Sequence, residues 1–128
     1  EKDFEDMKDV IVENSKILFN VLGKHLYVIS RNYAWFGEKE EALGINDWSK
    51  QLLDLYSEKD EFFDASAYFR TMKWLALHKM VAYSRAGEKD MVEKVYKEFL
   101  DEMKQREDLS EEEYQEIIYF LDCQKKWI

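Results

Sequence analysis

Proline is absent from this chain of 128 residues, glycine occurs four times and cysteine once. Without proline, and with so little glycine, the chain lacks the turn residues on which many-stranded sandwiches and collagen-like or low-complexity segments depend. One cysteine excludes an internal disulfide. Two histidines beside it cannot complete a structural zinc site without carboxylates or a second chain. No uncharged apolar run reaches the length of about 18 residues that a membrane span requires, and the acidic, already periodic opening does not read as a signal peptide. Positive charge is also in short supply. Lysine and arginine number 19 against 28 acidic residues, a formal net charge of -9, which disfavours approach to a nucleic-acid backbone. The expectation is a soluble, cytoplasmic protein with neither nucleic acid nor membrane as partner.

What is present is apolar and aromatic. Apolar residues make up 46% of the chain and aromatic residues 16%, enough for the core of one domain spanning residues 1–128. Their spacing is helical. Phe4, Met7, Ile11, Leu18, Leu22, His25, Ile29 and Tyr33 recur three, four or seven residues apart and predict one long amphipathic helix, its stripe widened by Val10, Ile17, Val21, Leu26 and Val28. Gly37 predicts its end, and Gly44 a second stop after a short turn. Asn46 or Asp47 then reads as the cap of a short helix carrying Trp48, Leu52, Leu53, Leu55 and Tyr56.

Ser57 and Asp60 have the spacing of a capping box ahead of Phe62, Phe63, Phe69, Met72, Ala76, Met80 and Tyr83, with Trp74, His78 and Val81 on a second flank. Gly87 marks a corner before the stripe of Val92, Val95, Tyr96, Phe99, Leu100 and Met103. Ser110 and Glu113 form a second capping box, with Leu109 and Tyr114 placed as a hydrophobic staple. The last helix should therefore begin at Glu111 and carry Tyr114, Ile117, Ile118, Leu121 and Trp127. No segment alternates at period two over a strand's length. The predicted fold is all-α: a compact bundle of about five helices, mostly antiparallel.

One pattern recurs. Tyr33 to Lys39 and Tyr83 to Lys89 share Tyr, Gly, Glu and Lys at a constant interval of 50 residues. Two similar helical hairpins would produce such a match, but helix corners commonly carry these residue types, so by itself it reads as two corners, and the interval does not suit an array of short repeats.

The polar residues offer few chemical signatures. Neither histidine follows a glutamate by three residues, which excludes the Glu-x-x-His pattern of di-iron bundles, and His-Glu-x-x-His, nucleophile-elbow and phosphate-loop patterns are absent. Arg70 and His78, eight residues apart on one helix, face within about 80° of each other. Cys123 reads as a small core side chain. The acidic runs at Glu38, Glu40 and Glu41 and at Glu111 to Glu113 read as solvated helix-start charge. No catalytic residue, metal ligand or cofactor is assigned.

The aromatic surplus says more. Trp35 and Phe36 beside a corner, with Trp127 and Ile128 at the other end of the chain, are candidate anchors for a protein partner, including a second copy of this chain. The first functional expectation is a non-enzymatic interaction or regulatory domain that self-associates as a homodimer. The alternative is a ligand-binding or catalytic bundle whose internal pocket uses His25, Arg70, His78 and Tyr83.

Overall fold

The computed structural model describes Met7, residues 24–59 and residues 65–128. Among them are five helices: α1 (Lys24–Trp35), α2 (Lys39–Lys59), α3 (Ala65–Arg85), α4 (Lys89–Lys104) and α5 (Glu111–Lys125). Consecutive helices run antiparallel, and α1 also packs on α3, as α3 does on α5. The all-α bundle read from the periodicity is the observed fold. The calls on Phe4, Val10, Ile11, Ile17, Leu18, Val21, Leu22, Asp60, Phe62 and Phe63 fall outside the described residues.

Local chemistry explains the corners. Gly37 and Gly87 adopt φ of 80° and 79°, the left-handed conformation that costs side-chain-bearing residues about 1–2 kcal/mol. At the first corner Gly37 N–H donates to the Ala34 carbonyl at 3.2 Å and Glu38 N–H to the Tyr33 carbonyl at 2.9 Å. The second corner repeats both bonds, Gly87 to Ser84 at 3.0 Å and Glu88 to Tyr83 at 2.9 Å. Each is a Schellman motif, which satisfies carbonyls left over at the helix end. The two corners also lie side by side. Lys39 Nζ pairs with Glu88 at 2.8 Å, and Arg85 donates to the Trp35 carbonyl at 3.1 Å.

Ser110 caps α5 as expected: its hydroxyl accepts from Glu113 N–H at 3.1 Å while the Glu113 carboxylate accepts from the Ser110 N–H. Leu109 and Tyr114 both pack against the core.

Three local readings are corrected. Gly44 does not stop a helix and Asn46 and Asp47 do not cap one, because α2 begins at Lys39 and runs through all three. A mid-helix glycine costs about 1 kcal/mol, which burial of Ala42, Leu52 and Leu53 on the same helix offsets. Ser57 likewise lies in the last turn of α2, where its hydroxyl donates to the Asp54 carbonyl at 2.8 Å. The third correction concerns the face of α1. His25, Ile29 and Tyr33 are exposed, whereas Ser30 and Ala34 are fully buried and Leu26 and Tyr27 half-buried. Ser30 and Ala34, with Leu26 and Tyr27 beside them, meet the neighbouring helices, and the row of His25, Ile29 and Tyr33 faces outward.

The main core lies around α3. Tyr68, Phe69, Met72, Leu75, Leu77, Met80 and Val81 meet Val92, Val95, Phe99 and Met103 of α4 and Ile117 and Leu121 of α5. Leu52 holds a smaller cluster with Met7, Leu26, Trp48 and Leu55.

Candidate functional site

Three surfaces combine chemistry with accessibility. The first is the outer row of α1. Ile29 and Tyr33, each about 40% exposed, are continued by Phe36, which is 82% exposed at the tip of the first corner. Spacing of i, i+4 and i+7 puts them in one line. Trp35, also part-exposed, lies under the Arg85 guanidinium, 5.9 Å from its ring centre. At the other end of the chain Trp127 is 82% exposed, while Ile128 is half-buried against the core.

The second is a cleft of about 100 Å³ between α2, α3 and α4, with Met72, Leu75, Ala76, Val95 and Phe99 as its apolar lining. Its rim is already closed by charge. Lys50 reaches both Asp54 and Glu102 at 3.3 Å. Asn46, at the same cleft, donates to the Leu75 carbonyl at 2.8 Å and to Ser30 Oγ at 3.4 Å, tying α2 to α3 and α1. Its role is internal and structural.

The third is a cleft of about 220 Å³ between α3 and α5. Ser66, Phe69, Arg70 and Lys73 line one side, and Glu113, Glu116 and Ile117 the other. Lys73 Nζ lies 4.5 Å from the centre of the Phe120 ring. Phe120 in turn meets Trp74 edge-on at 4.9 Å, and Trp74 meets Tyr27 edge-on at 6.3 Å, so a run of rings crosses from α5 over α3 to α1.

His78 lies beneath that run. It is 1% exposed, with ring centres of Tyr27 at 5.1 Å and Trp74 at 6.0 Å, and its Nδ1 has no hydrogen-bond partner. Burial, assisted by the positive charge of Arg31, depresses its pKa to about 4, so it is neutral at ordinary pH. Burial also raises the Tyr27 hydroxyl, against an opposing effect of Arg31.

The proposed pocket residues are thus distributed rather than gathered. His25 is exposed on α1 and His78 enclosed. Arg70 faces the α3–α5 cleft, and Tyr83 stands at the corner end of the same helix, about 20 Å farther along its axis. Sequence reasoning missed the carboxylate wall opposite Arg70, because Glu113 carries only the signal of a helix start and Glu116 carries no local signal.

A further polar network is structural. Arg106 binds both oxygens of Asp108 at 2.9–3.0 Å and donates to the Tyr68 hydroxyl at 3.2 Å, which donates to Asp54 at 2.9 Å. Burial raises the Tyr68 hydroxyl well above its usual range, and the hydrogen bond from Arg106 lowers the Asp108 carboxyl. This chain of bonds ties the end of α2 and the start of α3 to the corner before α5.

No group of three or more His, Cys, Asp or Glu side chains among the described residues is placed to hold a metal ion. Among the same residues no helix is long and apolar enough to cross a membrane. No family model, curated protein or solved structure matches the chain.

Proposed function

We propose that this chain is a non-enzymatic protein-interaction domain that pairs with a second copy of itself through the outer row of α1. The observation that carries this reading is the exposure of Ile29, Tyr33 and Phe36 in one line, without an Asp, Glu, Lys or Arg in the row, on a chain that is 37% charged. Uncharged rows of large side chains on a highly charged surface are where partners dock.

The row is self-complementary. In an antiparallel pair about a twofold axis near Asn32 and Tyr33, Ile29 meets Phe36 of the other copy, and His25 approaches the acidic corner of Glu38 and Glu40. A polar Asn32 beside the axis sets the register. The row is short, so the association is weak, in the range of about 10–100 μM.

Sedimentation equilibrium across about 10–200 μM tests this. A reversible dimer is expected, weakened about tenfold or more by Phe36→Glu and unchanged by Trp127→Ala. Both residues are exposed, so both variants keep the parent's melting temperature. A chain that stays monomeric throughout that range overturns the reading.

A further inference from the structure

The α3–α5 cleft carries a second inference, independent of the α1 row, with which it shares no residue. Its geometry follows from two helices that run parallel with α4 between them in the chain. Lys73 of α3 lies against Phe120 of α5, and Ser66 and Arg70 share the cleft with Glu113, Glu116 and Ile117. Phe69 and Ile117 line its base as core side chains, with only 3% and 4% of their surface exposed. The Lys73–Phe120 contact closes one end, and the Ser110–Glu113 cap holds the other.

Elsewhere three opposite-charge pairs close between segments: Lys39 of α2 with Glu88 of the second corner at 2.8 Å, Lys50 of α2 with Glu102 of α4 at 3.3 Å and Lys125 of α5 with Glu93 of α4 at 2.8 Å. Arg70 and Glu116 face one cleft from opposite walls, yet neither enters an ion pair among the described residues. The space between them stays open.

We propose that this cleft binds a small zwitterion of amino-acid size. Its carboxylate lies on the Arg70 guanidinium, whose planar fork matches two carboxylate oxygens. Its ammonium lies on Glu116. Charge selects this class. A purely anionic ligand meets Glu113, Glu116 and the chain's net charge of -9, and a purely cationic one meets Arg70 and Lys73. A cleft of about 220 Å³ has room for an occupant of this size.

Amide-resolved NMR titration of the full chain with L-leucine and L-phenylalanine tests the proposal, alongside 4-methylpentanoate and 3-methylbutylamine, which are leucine without its amine and without its carboxylate. Saturable shifts are expected at the amides of residues 66–73 and 113–117, with both truncated analogues at least about tenfold weaker than leucine. Arg70→Gln and Glu116→Gln should each weaken leucine about tenfold while leaving the melting temperature unchanged, since both side chains are exposed. Absence of saturable shifts at these amides with both amino acids overturns the proposal. Equal binding of leucine and its truncated analogues overturns it as well.

Discussion

The hairpins α1–α2 and α3–α4 turn through the same backbone bonds at Gly37 and Gly87, but different material fills the space between their helices. At positions fifty residues apart, Ser30 stands where Met80 does, Ala42 where Val92 does, Asn46 where Tyr96 does and Ser49 where Phe99 does. At these positions the first hairpin is small and polar inside, where Asn46 donates to Ser30, while Leu26 packs with Leu52 and Trp48 elsewhere between the two helices and Ile29 and Tyr33 point outward on α1. The second is apolar inside and completes its packing with α5. Corner chemistry is therefore indifferent to core chemistry: one turn can serve a hairpin that buries its aromatic residues and another that displays them.

The largest expected contrast lies at one pair of equivalent sites. Phe99→Ala should cost about 3–5 kcal/mol by opening a cavity among α3 and α4 side chains. Ser49→Ala should cost nothing and can gain up to about 1 kcal/mol, because its hydroxyl is fully buried without a hydrogen-bond partner. Urea unfolding of the two variants reads both numbers. Similar losses at the two sites would break the comparison.

A smaller effect separates the halves by pH. His78, against Tyr27 and near Arg31 of α1, binds its proton more weakly folded, at a pKa of about 4, than unfolded, near 6.5. Above 6.5 both states are neutral and no penalty exists. As pH falls from 6.5 towards 4 the unfolded chain takes up the proton first, and about 3 kcal/mol of stability is lost. Unfolding of the parent and of His78→Gln from pH 7 to 4 should show this component of the slope in the parent alone. Equal slopes would mean that the α1–α3 contact does not hold the imidazole neutral.

The smallest effect is shared. Gly37→Ala and Gly87→Ala should each cost about 1–2 kcal/mol through backbone strain, since a Cβ at either position meets open space. Matching losses would sharpen the view that the corners are equivalent. A loss at Gly87 several times that at Gly37 would show that the surrounding core decides what the corner is worth.

Much of the fold was legible because its signals are local. A capping box needs only Ser110 and Glu113, and a Schellman corner only a glycine following a helix, so both could be placed without knowing any neighbour. Gly44 and Asn46 misled for the converse reason. Their residue types favour helix ends, yet Asn46 is bound to Leu75, 29 residues away, and that partner is invisible in the local pattern. Arg70 was legible as a polar residue of interest, but the carboxylates that give it a chemical setting come from α5.

By itself, the sequence determined the helical period, the corners at Gly37 and Gly87 and the start of α5, because backbone bonding and capping act over three to five residues. Tertiary structure alone decided which row of α1 faces outward, that His78 is enclosed while His25 is not, and that Arg70 faces Glu116 across an open cleft. A helix with two apolar rows satisfies its period with either one buried. The choice belongs to the surfaces it packs against.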